Sequence, residues 1–105
     1  GFRDSDFGHI IENIVYFELI RRGYDVTVGK NNSLEVDFIA TNPNDKKYYQ
    51  VTYTMLDDNV KKRELGVLKN IKDNYEKTVI TMDRLYNNTS EEGIKIKYLI
   101  DFLLE

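Results

Sequence analysis

Leu34-Glu35-Val36-Asp37-Phe38-Ile39-Ala40-Thr41, Asn42-Pro43-Asn44-Asp45 and Lys46-Lys47-Tyr48-Tyr49-Gln50-Val51-Thr52-Tyr53 run on from one another, and their alternation decides the fold. In the first segment Leu34, Val36, Phe38 and Ala40 fall on one face and Glu35, Asp37 and Ile39 on the other, the period of two that marks a strand. In the third, Tyr49, Val51 and Tyr53 share a face, and Tyr48, Gln50 and Thr52 share its opposite. The four residues between are all strong turn formers, so the two strands are expected to form a hairpin. If Thr41 pairs with Lys46, counting back sets Asp37 against Gln50 and Glu35 against Thr52. Directly opposed residues carry Cβ atoms about 4.5 to 5.5 Å apart, close enough for an acid and an amide to reach one ligand.

Further helices and strands extend from this hairpin in both directions. Upstream, Asp4-Ser5-Asp6 supplies helix caps. From Phe7 the residues Ile10, Ile11, Ile14, Val15, Phe17 and Ile20 give a broad apolar helical stripe, read as a mostly buried helix. Arg21 and Arg22 suit its carboxyl end, and Gly23 can terminate it in the left-handed conformation. Tyr24 to Lys30 alternates as a strand and Asn31-Asn32-Ser33 turns it into the next, making a three-strand meander. Downstream, Asp57-Asp58 caps a second helix marked by Val60, Leu65, Val67, Leu68 and Ile71, running to about Lys72. Thr78-Val79-Ile80-Thr81-Met82 reads as an interior strand returning parallel to the Gln50 strand after the helical crossover. The order is αβββαβ in a mixed sheet. Residues 87–93 read as a polar loop, Ile94-Lys95-Ile96-Lys97 as an edge strand, and Tyr98 to Leu104 as a short final helix.

The bulk numbers narrow the class. A chain of 105 residues, 41% hydrophobic and 12% aromatic, fits one α/β domain with one core and argues against disorder. No apolar run approaches a membrane span and the amino terminus lacks a secretory layout, so the chain reads as cytoplasmic with no membrane partner. With no cysteine, thiolate zinc sites, cysteine nucleophiles and disulfides are excluded. A formal net charge of -3 speaks against holding nucleic acid by electrostatics alone. The start at Gly1-Phe2-Arg3 without an initiator Met suggests a piece of a longer protein.

The element order and polar positions resemble the PD-(D/E)XK, restriction-endonuclease-like nuclease superfamily. The resemblance implies a divalent metal, Mg²⁺ or Mn²⁺, held by Glu12 on the first helix, Asp37 on the second strand and Gln50 on the third. It also implies a Lys two positions after Gln50, where this chain has Thr52. A closer likeness covers nearly the whole chain. Glu-Asn-Ile-Val-Tyr-Phe-Glu-Leu at 12–19, Arg-Arg-Gly-Tyr at 21–24, Val-Gly-Lys at 28–30, Glu-Val-Asp-Phe at 35–38, Tyr-Gln-Val at 49–51, Arg-Glu at 63–64, Lys-Asp-Asn-Tyr at 72–75 and Met-Asp at 82–83 look like the carboxy-terminal domain of predicted prokaryotic AAA-type ATPases. That likeness implies an upstream ATPase domain that binds the ATP, since no phosphate-cradling Gly-Lys-Ser or Gly-Lys-Thr loop occurs here.

Metal-assisted phosphodiester hydrolysis needs carboxylates for the ion and a positive charge near the reacting phosphate. Glu12 and Asp37 supply carboxylates, Gln50 offers an amide oxygen without charge, and Thr52 cannot replace an ammonium. Lys61, Lys62 or Arg63 on the second helix are the cations that could compensate, though such a run is usually a solvated face. The bland alternative makes Asp37, Gln50 and Thr52 a satisfied polar patch on the sheet. His9, one turn before Glu12, is left out of the site. The tyrosines Tyr48, Tyr49, Tyr53, Tyr75 and Tyr98 could stack bases, but half-buried sheet packing is the commoner role. Three functions stay open: a degenerate nuclease-fold accessory domain engaging nucleic acid or regulating the ATPase, an active Mg²⁺- or Mn²⁺-dependent DNA endonuclease, and a protein-interaction module using tyrosines and the last helix. An oligomer is compatible with each.

Overall fold

The computed structural model describes residues 4–86 and 89–105, with side chains from Asp6 onward, so the capping expected of Asp4 and Ser5 and part of the 87–93 loop lie outside the described residues. The elements are α1 (Asp4–Arg21), β1 (Asp25–Val28), β2 (Phe38–Asn42), β3 (Asp45–Thr52), α2 (Asp58–Lys69), β4 (Glu76–Thr81), β5 (Thr89–Glu91), β6 (Ile94–Tyr98) and α3 (Leu99–Leu103). Their order through β4 is the expected αβββαβ. The six strands form one mixed sheet in the order β1-β2-β3-β4-β6-β5.

Thr41 pairs with Lys46 as the hairpin register requires, and the antiparallel ladder extends to Phe38 opposite Tyr49. The connection is tighter than four residues, because Asn42 and Asp45 pair and leave Pro43-Asn44 as the tip. After α2, β4 returns parallel to β3, with Gln50 beside Val79. A parallel pair needs such a crossover, and α2 provides it. Asp57 caps α2, its carboxylate accepting the Asn59 and Val60 N–H groups at 2.8 and 3.3 Å.

Alternation along β3 and β4 divides the core between the two faces of the sheet. Tyr49, Val51 and Ile80 pack with Ile11, Val15 and Leu19 of α1 and with Leu99 and Phe102 of α3. Tyr48 and Val79 pack on the opposite face with Leu65 and Leu68 of α2 and with Ile94 and Ile96 of β6. The sheet is therefore covered on both sides, as parallel pairing requires.

Four further expectations are corrected. The second strand begins at Phe38 rather than Leu34. Glu35 has φ of +60°, and Val36 packs on the α2 face while Phe38 packs on the α1 face, so the period of two breaks between them. The cause is local: after β1 the chain makes a turn of 3₁₀ helix at Gly29–Asn31, Gly29 N–H donates to the Asp37 carbonyl at 2.7 Å, and the Asn32 amide donates to the Val36 carbonyl at 3.1 Å. Glu35 and Thr52 consequently do not pair. Second, α1 is buried on one side only; Ile10, Ile14, Phe17 and Ile20 are 38–66% exposed. Third, β6 is an inner strand between β4 and β5, and Thr89–Glu91, read as loop, is the edge. Its alternation of buried Ile94 and Ile96 with Lys95 and Lys97 suits either position, so pattern alone cannot place it. Fourth, α2 ends at Lys69, where Asn70 caps it, rather than near Lys72.

Candidate functional site

Asp37 sits one residue before β2, Gln50 in the interior of β3 on its α2 face, and Glu64 on α2. Val60, Glu64 and Leu68 are spaced by four, which puts Glu64 on the stripe that α2 turns toward the sheet. The three residues interlock. Gln50 Oε1 accepts the Asp37 N–H at 2.6 Å, Gln50 Nε2 donates to Glu64 Oε2 at 2.7 Å, and Asp37 Oδ2 accepts the Val51 N–H at 2.8 Å. The amide orientation follows from its partners, since the reverse would set NH₂ against N–H and oxygen against carboxylate. Where the main-chain ladder between β2 and β3 stops, side chains continue it.

Gln50 is 5% exposed and Glu64 9%, and the charge held there is costly. Burial raises the Asp37 carboxyl above its ordinary value, against the lowering effect of the Val51 N–H. Burial also raises Glu64, helped by repulsion from Asp37 and Glu12 and opposed by the Gln50 hydrogen bond and by Arg63. Glu12 is raised by burial and by Asp37, with His9 pulling the other way. Three carboxyls, on α1, just before β2 and on α2, thus share one electrostatic environment that raises each above its ordinary value.

A cleft of about 330 Å³ opens beside them, lined by His9 and Glu12 of α1, Thr52 of β3, and Arg63 and Glu64 of α2 among others. Asp37 and Gln50 are not among its lining residues. Thr52, at the position of the family's Lys, donates its hydroxyl to the Thr54 carbonyl at 3.2 Å. Of the three compensating cations, Arg63 reaches the cleft, its guanidinium 3.8 Å from Glu64. Lys61 instead pairs with Glu91 at 2.6 Å, and Lys62 is not part of the cleft wall. A larger cleft of about 560 Å³ at the far end of α2 is lined by Lys72, Asp73, Tyr75 and Lys77, but Lys77 is already bound to Asp73 and to the Tyr75 carbonyl.

The structure brings Gln50 against the Asp37 main chain, with the Asp37 carboxylate turned to the Val51 N–H, and sets Glu12 within electrostatic reach. It adds Glu64, which in the sequence stands out only as the neighbour of Arg63. The signal was present: an acid in register with the apolar stripe of α2 must find a partner on the sheet. As for a divalent ion, Gln50 uses both ends of its amide within the protein, and among the described residues no group of three or more His, Asp or Glu side chains is arranged to hold a metal. To an ion this set offers an amide oxygen already accepting the Asp37 N–H, with the Glu12 and Glu64 carboxyls at the adjoining cleft. What it can do is hold β2, β3 and α2 in register and present acid and guanidinium together at a cleft. Three of the tyrosines serve packing: Tyr48 and Tyr49 are buried, Tyr53 stacks on Phe7 at 5.1 Å, and Tyr48 donates to Asp73 at 2.6 Å, whereas Tyr75 is 49% exposed.

Among known proteins, the chain is similar to a Haemophilus influenzae protein described as uncharacterized, with 40% identity over 105 residues, all of this chain. The chain spans 25% of that relative's length. No protein-family model and no solved structure matches it. None of the described helices is long and apolar enough to cross a membrane.

Proposed function

We propose that this chain is an accessory domain of a longer AAA-type ATPase, built on a restriction-endonuclease-like scaffold whose metal-binding positions now serve the fold. It acts by engaging nucleic acid or by regulating the ATPase, not by cutting. The observation that carries this reading is Gln50, clamped at both ends between the Asp37 N–H and Glu64 at 2.6 and 2.7 Å, so that its amide is engaged in holding the fold. The missing Lys at Thr52 agrees with it. The relative's greater length supports a partner elsewhere on the same polypeptide. A cytoplasmic location belongs to the same reading, because the nucleotide such an ATPase consumes is held there.

One observation favours a second reading. Glu12, Glu64 and Arg63 line the same cleft, so a Mg²⁺- or Mn²⁺-dependent endonuclease could draw on Glu64 and Arg63 where Gln50 and Thr52 fall short. Incubation with plasmid and branched DNA in Mn²⁺, alone and joined to the ATPase, separates the two. Inactivity in both forms is expected, with no heat of Mn²⁺ binding that Asp37→Ala removes. Cleavage abolished by Asp37→Ala would overturn the accessory reading. A DNA gel shift lost at higher salt would then favour nucleic-acid engagement over regulation alone.

A further inference from the structure

The face of α1 turned from the sheet carries an ordered series that is its own complement. At about 100° per residue, Asp6, Ile10, Ile14, Phe17 and Arg21 fall within an arc of ~80°, well away from the side bearing Ile11, Val15 and Leu19. Ile10, Ile14 and Phe17 are 45%, 38% and 66% exposed, and the Arg21 side chain is 65% exposed although it pairs with Glu18. An acid stands at the amino end, a base at the carboxyl end about 22 Å away, and three large apolar side chains lie between. Scattered exposed apolar residues need no explanation, but a contiguous helical row of them does.

We infer that this face binds the same face of a second copy of the chain, as an antiparallel pair of α1 helices about a two-fold axis. A two-fold contact demands that the patch complement itself. Reversing one helix about the midpoint between Asn13 and Ile14 places Ile10 opposite the partner copy's Phe17, Asp6 opposite its Arg21 and Ile14 level with its Asn13, so that acid meets base at both ends and the two Ile14 side chains flank the axis. The opposed helix dipoles are favourable in that orientation as well. Asp6 also interacts within its own chain, and the second copy adds Arg21 to that environment. One helix face is smaller than a standard interface of about 1,600 Å², so the pair is a reversible, concentration-dependent dimer. This inference stands apart from the proposed function; neither needs the other.

The 105-residue chain has its own core on both faces of the sheet and can be tested as it is. Sedimentation equilibrium should show the mass rising with concentration from 12.4 kDa toward twice that value, and Phe17→Glu should hold it at 12.4 kDa. Arg21→Glu should weaken association about tenfold, and adding Asp6→Lys should restore it, which loss of the Glu18 pair alone cannot explain. Because the chain has no cysteine, Asn13→Cys near the axis should give a disulfide-linked dimer faster than Lys62→Cys on α2. A mass fixed at 12.4 kDa at millimolar concentration, with both cysteine variants linking equally slowly, overturns the inference and leaves the face to a different partner.

Discussion

Gln50 on β3 and Glu64 on α2 meet through a single buried hydrogen bond of 2.7 Å, and the same Gln50 holds the Asp37 main chain at 2.6 Å. One amide therefore joins the start of β2, the middle of β3 and the helix that crosses over to β4. A Gln suits this post because it offers donor and acceptor at once; a Glu there would confront Glu64 with a second charge and no proton to donate.

Gln50→Ala should destabilise the domain by about 2–4 kcal/mol, since it strands both a buried N–H and a buried carboxylate. Gln50→Glu should be destabilised at neutral pH and recover as the pH falls and the facing acids protonate. Urea unfolding at pH 5 and pH 7.5 checks both variants.

Glu64→Gln should raise stability at neutral pH. Burial and repulsion from Asp37 and Glu12 raise this carboxyl in the folded state, so its contribution is most favourable below the unfolded value and is lost as pH rises through the folded one. A neutral amide keeps an acceptor for Gln50 without that loss. Thermal melts should show the gain over wild type shrinking steadily toward acid.

Glu18 carries the opposite sign. Hydrogen bonds from Arg21 above all, added to those from Arg22 and to the charges of both guanidiniums, together outweigh burial and hold its carboxyl down at about 2. Its stabilisation is complete above the ordinary Glu range and is lost as pH falls toward about 2. Glu18→Gln should melt below wild type at pH 7 and match it near the acid limit.

Arg22 fastens α3 to α1: its guanidinium donates to the Phe102 carbonyl at 2.5 Å, lies 4.2 Å from the Phe102 ring centroid and pairs with Glu105 at 3.2 Å. Arg22→Ala should cost about 2–3 kcal/mol, summing a charge-assisted hydrogen bond and part of the cation–π contact. Hydrogen exchange should quicken in residues 99–103 before it does in the central strands.

Gly29→Ala should cost about 1–3 kcal/mol, because a Cβ there would lie 2.7 Å from the Val36 carbonyl oxygen and the turn that ends β1 would have to open. A lowered denaturation midpoint with an unchanged slope checks this.

The meander, the α2 crossover and the Thr41–Lys46 register were legible in the residues because they rest on short-range causes: alternation, turn chemistry and caps act within a few positions. The division of the core into two clusters was not read from the sequence, which suggests a single core, although Tyr48 and Tyr49, like Val79 and Ile80, point opposite ways along their strands. The break at Glu35 was not legible, because it depends on Gly29 and Asn32 reaching across a loop to the Val36 and Asp37 carbonyls.

The sequence by itself determined the kinds of element and their order through β4, and it brought Asp37 and Gln50 to neighbouring strands. Only the tertiary structure decided that β6 is an inner strand, that α1 leaves one face open, and that Gln50 is claimed by Glu64. Those outcomes turn on which surfaces meet after the chain has folded back over long distances, and a one-dimensional pattern fixes which residues want burial or a partner without fixing which partner arrives.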